Sequence, residues 1–502
     1  MIDVLGNSFT MIGAAVGAVL LCLIQVYQVH SYVAAVVEFS PTGVDGPVVP
    51  PLTVANNLYR YEEFVLEAKK SFADIIVFPE YGLTTTFPSN NRTMALEFGQ
   101  VVPQKSDNGN PCADDNQSIE YETVRRLSCM ARDNRIYLVA NLIERDDKQG
   151  AGTMLYNTNV AFDSNGTVVS RYRKHNLFGE FALNTTTESD ISIFEAFGAR
   201  FGMVTCFDLM FQHPAVTLVR KYGITDLIFP TAWIHELPFL TGPQAQASFA
   251  YGNRVNILAS EYNVPEEGHS GSAIILGRNP NGEYIATITQ EITNMLLVAT
   301  VPTDTNGPNN NEQENGIIKG SLGQGKSKGL RMNKNLLLTE DKLEDYTAVP
   351  LPKNTLDSSI EACNNNFCCL LTFSIKKMDI FNFHYQLLIF DGVRTHMEGR
   401  YETEMQVCAL VACSDDTKAG CSKPPSDSSY SSVTEFNKIS IQATFKSNVT
   451  LPNTLNSQTL LPFQLSDYSF NVNQQNFFTV IERAEPIKNI HTFGIYSHDY
   501  LL

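Results

Sequence analysis

Basic residues are scarce in this sequence of 502 residues: 36 Lys and Arg stand against 53 Asp and Glu, a formal charge of −17. No basic patch is left for a phosphate backbone and the net field repels polyanions, so nucleic acid is excluded as a partner. The acid excess otherwise needs no explanation beyond keeping an extracellular protein in solution. Histidine is also sparse. The nine residues are scattered, with no pair at metal-ligand spacing beside a third ligand, so no metal is expected, and no cofactor. No internal repeat recurs. The end of the chain, His498-Asp-Tyr-Leu-Leu502, has no apolar tail of the kind that directs a lipid anchor. No Lys or Arg precedes the apolar run Met11 to Ile24, yet that run has the length of a signal peptide and falls short of the about 20 residues needed to span a membrane. Val29-His30-Ser31 follows as a small-residue cleavage site. A signal peptide over 1–31, a secreted extracellular chain and no stable membrane anchor are the expectations.

The compartment has further support. Five Asn-x-Ser/Thr sequons, at Asn91, Asn116, Asn165, Asn184 and Asn448, suit passage through a secretory pathway, although each alone arises readily by chance. Of ten cysteines, Cys22 lies in the apolar run, Cys112 and Cys129 bracket one helix start, and Cys363, Cys368, Cys369, Cys408, Cys413 and Cys421 cluster late. Eight can form four bridges in an oxidising setting, the late six in any of fifteen connectivities. Cys206 is left over: either an inert buried thiol or a reactive one.

With 43% hydrophobic and 18% charged residues the chain folds, and its length predicts two domains. Over 32–302 short β-branched runs alternate with helical patterns, which predicts a layered α/β domain. Strands are expected at Tyr32 to Phe39, Asp74 to Pro79, Ile136 to Leu142, Phe201 to Thr205, Asp226 to Phe229 and Ile257 to Ser260. After Asn56-Asn57, the spacing of Leu58, Tyr61, Val65, Ala68 and Phe72 predicts a helix with one face on a sheet. Pro214 and Gly223 bracket a second helix, each where helix ends favour it. The segment 303–335, rich in Asn, Gly, Ser and Lys, reads as a linker or mobile loop. Runs such as Ile439 to Phe445 and Phe477 to Ile481 then predict a smaller, mostly β, disulfide-stapled domain over 336–502.

Three apolar strands each end in a group capable of chemistry: Ile75 to Glu80, Ser170 to Lys174 and Phe201 to Cys206. Strand ends are where the active sites of α/β folds collect. Amide hydrolysis by a thiol needs a proton acceptor, a cation or amide donors for the oxyanion, and an activated water. Glu80, Lys174 and Cys206 can supply these: Glu80 takes the thiol proton and returns it to the leaving amine. Lys174 and the backbone N–H of Phe207 face the oxyanion, where one donor is worth about 3 kcal/mol. Lys174 would also favour the thiolate. Taken singly, a helix cap, a solvated charge and a packing cysteine explain the same three residues.

Their order and contexts weigh more. Val77-Phe-Pro-Glu80, Arg171-Tyr-Arg-Lys174-His-Asn-Leu-Phe178-Gly-Glu180 and Thr205-Cys206-Phe-Asp-Leu-Met-Phe211 resemble the three signature segments of the nitrilase superfamily. Within it, Phe229-Pro-Thr-Ala-Trp233, Arg254 to Ser260, Cys363 with Cys368-Cys369, Phe390-Asp-Gly392 and Glu398-Gly-Arg-Tyr401 resemble the biotinidase and vanin (pantetheinase) branch. The resemblance implies an α-β-β-α sandwich, a Glu80-Lys174-Cys206 triad, and Glu180 as a helper that positions the lysine or substrate. Tyr81-Gly-Leu-Thr-Thr-Thr and His213 depart from the branch near the expected pocket. It further implies hydrolysis of a linear carboxamide through a thioester, with pantetheine the preferred substrate and biotinyl amides such as biocytin second. A secreted binding protein on the same fold, without turnover, is the alternative of another class. Tyr81, His175, Trp233 and His235 are candidate pocket residues, while Asp208 could orient the cysteine turn or merely cap it.

Overall fold

The computed structural model describes residues 31–105, 109–115, 118–148, 152–303, 335–378, 383–396, 399–424, 434–447, 449–475 and 477–498. Residues 1–30 of the expected signal peptide, with Cys22, nearly all of the expected linker, and the sequons at Asn116 and Asn448 lie outside these residues, while Ser31, expected to end the signal peptide, opens the first strand.

The first domain is built on two six-stranded sheets. One runs in the spatial order β13 (Met295–Pro302), β1 (Ser31–Glu38), β2 (Ile75–Val77), β3 (Tyr137–Lys148), β4 (Gly152–Phe162), β5 (Val168–Arg173). The other runs β12 (Tyr284–Ala286), β11 (Ala273–Leu276), β10 (Asn256–Glu261), β8 (Asp226–Thr231), β7 (Ala199–Met203), β6 (Ile193–Ala196). In each sheet the central strands are parallel: β1, β2 and β3 in the first, β7, β8 and β10 in the second. Such strands are covered on both faces and so read as continuous apolar runs.

The pleat divides each strand between two cores. Ile75, Val77, Val139 and Ala161 meet Met203, Ile228 and Leu258 between the sheets. Ile76, Leu138, Val160 and Phe162 point outward onto helices α1 (Pro50–Lys70) and α3 (Ile119–Asn134), with α2 (Arg92–Phe98) between them in the chain. The outer face of the second sheet carries α4 (Thr217–Arg220) and α5 (Gly242–Asn253). The order is helices, sheet, sheet, helices, the α-β-β-α sandwich that the resemblance implies.

Two helices differ from the sequence expectation. Helix α1 begins at Pro50, before Asn56-Asn57, because Pro is tolerated in a first turn. It ends at Lys70, so Phe72 sits past it at φ 58° and 80% exposed, off the sheet. Pro214 falls in a wide turn over Gln212–Val216 and the regular helix starts only at Thr217. His213, with φ −110° and ψ 121°, is non-helical, as expected of a residue before proline.

The second domain is a β-sandwich. One sheet runs β15 (Thr347–Pro350), β18 (Tyr385–His396), β19 (Tyr401–Ala412), β25 (Ile490–His498), β21 (Thr450–Asn456). The other runs β16 (Asp357–Asn364), β17 (Phe367–Lys377), β20 (Glu435–Thr444), β23 (Phe478–Arg483), β22 (Ser469–Val472). Bridges Cys363–Cys368, Cys369–Cys408 and Cys413–Cys421 hold it; the second of these joins its two sheets. In the first domain Cys112–Cys129 ties a loop to α3, and Cys206 remains a free, buried thiol. The domains share a core, in which Leu388, Val407, Val411 and Tyr496 pack with Ala247 and Ala250 of α5. Gly252 is required there: a Cβ would stand 2.4 Å from Leu451 Cδ2 and 3.0 Å from the Thr450 carbonyl.

Candidate active site

Four strands end on one edge of the sandwich and deliver the polar groups there. Glu80 follows β2, Cys206 follows β7, Ala232 and Trp233 follow β8, and Glu261 closes β10; all four strands run parallel to a neighbour and present their carboxyl ends. Lys174 arrives from the antiparallel β5. Its backbone N–H bonds to the Asn157 carbonyl at 2.8 Å, extending the β4–β5 ladder by one pair. That pairing sets the Lys174 and Asn157 side chains on the same face, toward the space between the sheets.

There Lys174 meets two carboxylates. Its ammonium lies 2.8 Å from Glu80 Oε1 and 3.0 Å from Glu180 Oε2, and all three groups are buried. Two negative charges and one positive leave an excess anion, costly away from water unless other donors share it. They do. Asn157 Nδ2 lies 2.7 Å from Glu80 Oε1, 2.6 Å from Glu180 Oε1 and 3.0 Å from the Tyr81 hydroxyl. The Tyr81 hydroxyl donates to Glu180, Phe178 N–H to Glu180 Oε2 at 2.8 Å, and Ala232 N–H to Glu80 Oε2 at 2.9 Å. Burial raises the pKa of Glu80 above 4.5, opposed by the charge of Lys174 and reinforced by that of Glu180. Burial alone would lower the pKa of Lys174, but Glu180 and Glu80 override it and hold the ammonium well above its ordinary range.

Asn157 is itself oriented. Its Oδ1 accepts from Asn141 Nδ2 at 2.6 Å, and Asn141 also donates to Asn159 Oδ1 at 2.9 Å. Asn159 in turn donates to Thr205 Oγ1 at 2.9 Å, one residue before the cysteine. A chain of three amides thus runs from the charge cluster to the Cys206 turn.

Cys206 opens that turn at φ 45°, in the left-handed region, where a side chain other than glycine stores roughly 1–3 kcal/mol of strain. Asp208 holds it there. Its carboxylate accepts from Thr205 N–H at 3.1 Å and the Tyr172 hydroxyl at 2.7 Å, and from both the backbone and side-chain N–H of Asn176 at 2.9 and 2.8 Å. Asp208 therefore joins the cysteine turn to the segment just after Lys174, a larger role than local capping. Burial lifts its pKa to about 6, against the pull of Lys174. The Cys206 thiol points at the Ala232 carbonyl, 3.7 Å away. Burial pushes its pKa well above 9.0 and Glu80 adds to the rise, while Lys174 opposes it. Lys174 thus favours the thiolate, in the direction the sequence reading expects, while desolvation and the charge of Glu80 act against it.

The other expected residues divide. Glu180 and Tyr81 lie in the cluster. Phe207 packs over the turn, its ring 4.8 Å from Phe178 and 4.9 Å from Phe211. Trp233 serves through its backbone, donating to Glu261 Oε1 at 2.7 Å, and its indole N–H bonds to the Leu240 carbonyl at 2.9 Å. His175 lies beside the site and lines a cavity of about 370 Å³ between the domains with His213, Glu402 and Glu404. His235 is fully buried at the start of α5, where Nδ1 accepts from Gly242 N–H at 3.0 Å, and burial holds its pKa at about 3. It stays neutral and serves the helix, not the charge cluster. Among the sequons, Asn91 and Asn165 are exposed; Asn184 is half-buried and accepts from Leu155 N–H and Arg92, each at 2.9 Å.

Sequence reasoning missed Asn141, Asn157, Asn159, the Ala232 N–H and Tyr401, which reaches the site from β19. A signal was available for two of them: Asn157 and Asn159 stand two apart between the apolar pairs Leu155-Tyr156 and Val160-Ala161, the spacing of one strand face.

Residues 34–303 match the family described as carbon-nitrogen hydrolase, and residues 336–501 match the vanin C-terminal domain. Vanin-like protein 1 of Drosophila melanogaster is 31% identical, over 93% of this chain and 86% of its own. The pantetheinase of Sus scrofa is 30% identical, over 97% of this chain and 93% of its own. The biotinidase of Bos taurus is 31% identical, over 78% of this chain and 79% of its own.

Proposed function

We propose, from the premise that this chain belongs to the carbon-nitrogen hydrolase family and carries its vanin C-terminal domain, that it is an amidase working through Cys206. As the sulfur attacks the amide carbonyl, its proton passes to Glu80; no preformed thiolate is required. Lys174 and the Phe207 N–H take up the oxyanion. Glu80 then gives the proton to the departing nitrogen as the C–N bond breaks, leaving a thioester on Cys206. Water adds to that thioester with its proton going to Glu80; the acid leaves and the sulfur regains the proton. Glu180 acts on Lys174, holding its ammonium in place.

The observation that supports this reading most is a continuous set of contacts among residues far apart in sequence. Lys174 bonds to one oxygen of Glu80, the other oxygen takes the Ala232 N–H, and the carbonyl of that same residue faces the Cys206 thiol. Pantetheine, cleaved to pantothenate and cysteamine, is the substrate, a choice supported by relatives named pantetheinase that span nearly the whole chain. The protein is secreted and glycosylated, supported by the apolar run at 11–24, the four bridges and the exposed Asn91 and Asn165.

The test is hydrolysis of pantetheine and of biocytin by the wild type beside Cys206→Ala. Wild-type turnover of pantetheine, reduced at least about a thousandfold in the variant, is expected. Turnover of biocytin alone would move the substrate to biotinyl amides. Turnover of neither, with the thiol unreactive to iodoacetamide, would favour the binding protein.

A further inference from the structure

The β18–β19 hairpin of the second domain touches the site. Strands β18 and β19 are antiparallel neighbours, and Arg400 and Tyr401, where β19 begins, both lie on the first-domain loop 178–181. The Tyr401 ring is stacked 6.3 Å from Phe178 and meets Phe207 edge-on at 5.4 Å. Its hydroxyl accepts from Gly179 N–H at 3.5 Å. The Arg400 guanidinium lies 4.4 Å over the ring of Phe181, which is otherwise 61% exposed. His396, at the end of β18, adds an edge contact to Phe207 at 5.5 Å and is fixed by a 2.9 Å bond to the Thr403 hydroxyl.

The hairpin thus grips three of the four loop residues, and the fourth is Glu180, whose carboxylate sits 3.0 Å from Lys174. We infer that Arg400 and Tyr401 are positioning residues of the active site: by clamping the loop on either side of Glu180 they fix that carboxylate on Lys174. The second domain is then a working part of the catalytic unit. The inference rests on the reading of Lys174 given under Proposed function. Its physical reason is the reach of the Glu180 side chain. Loop displacement by an ångström would draw one of two anions away from the ammonium, and misplacements of that size in active sites cost up to about a hundredfold in rate.

The experiment pairs kinetics with hydrogen–deuterium exchange of the backbone over residues 176–183, on the full chain. Tyr401→Ala should lower kcat by about tenfold with KM changed by less than about threefold, and speed exchange at the loop. Tyr401→Phe, which keeps both ring contacts, should restore most of kcat and of the protection. Arg400→Ala, at an exposed position, should give a smaller loss of both. Tyr346→Ala is the control: that ring stacks on Phe390 at 4.6 Å and Phe239 at 6.0 Å in the same domain seam, away from the loop. It should lower the melting temperature yet leave kcat and loop exchange as in the wild type. Unchanged loop exchange in Tyr401→Ala overturns the inference, whatever happens to kcat, and a control that loses kcat equally does so too. If Tyr401→Ala does not fold, wild-type exchange and kcat in Arg400→Ala overturn it. The exchange readout needs no substrate, so failure of the wild type on both amides would remove the functional reading while leaving the clamp tested.

Discussion

The two sides of the site are built on opposite principles. Its floor, on β3 and β4, is a set of directional hydrogen bonds: Asn141, Asn157 and Asn159 with Tyr81, each at a fixed distance from a carboxylate, an amide or a hydroxyl. Its roof is aromatic: Phe178, Phe207, Phe211 and Tyr401 meet ring to ring at 4.8 to 6.3 Å across two domains. A hydrogen bond fails within a few tenths of an ångström, whereas a ring contact gives gradually. The floor therefore sets where charges sit. The roof sets where a loop rests, and tolerates change.

The largest expected departure comes from the floor. Asn157→Leu keeps the number and branching of the side-chain heavy atoms but removes the amide shared by Glu80 and Glu180. It should lower kcat about a hundredfold and stability by about 3 kcal/mol, the usual cost of stranding a buried charged acceptor. Steady-state kinetics and denaturant unfolding measure both; a variant with wild-type turnover would make the floor mere packing.

Acid inactivation sharpens the same comparison. In the proposed mechanism Glu80 must be ionised to accept the thiol proton, and burial raises its pKa above 4.5. The ionised fraction is then lost at higher pH than for an exposed glutamate. On the acid side kcat/KM should fall about tenfold per pH unit, with its midpoint above 4.5. A pH–rate profile with the midpoint at or below that value would mean that Lys174 and Asn157 overcome desolvation.

Least affected should be the roof. Phe211→Leu keeps apolar bulk while losing one ring contact, that to Phe207, worth about 1 kcal/mol. Its kcat/KM should fall only about fivefold, in proportion to that energy. A loss as deep as that of Asn157→Leu would erase the distinction between the two sides.

Much of the first domain was legible from the chain. Parallel strands covered on both faces must be apolar throughout, so β1, β2, β7, β8 and β10 stand out as runs, and Glu80 and Cys206 stand out where two such runs, β2 and β7, stop. Strand β4, inside the edge strand β5, was harder, because Asn157, Thr158 and Asn159 break the apolar pattern that marks a strand. Helix ends also slipped: Phe72 fits the periodicity of α1 but falls beyond its last turn, and Pro214 starts a wide turn instead of a regular helix. Disulfide pairing could not be read, since the late cysteines satisfy several connectivities equally well in one dimension.

By itself the sequence determined which groups were available: an acid, an amine and a thiol, each at the end of an apolar strand, and eight cysteines able to pair. Only the tertiary structure decided their company. Asn157 faces the charge cluster because the β4–β5 register puts it opposite Lys174, Ala232 offers an N–H because β8 lies beside β7, and Tyr401 reaches the loop because a second domain docks on α5. Periodicity and propensity act over a few residues, whereas register and docking are fixed by burial summed over whole sheets.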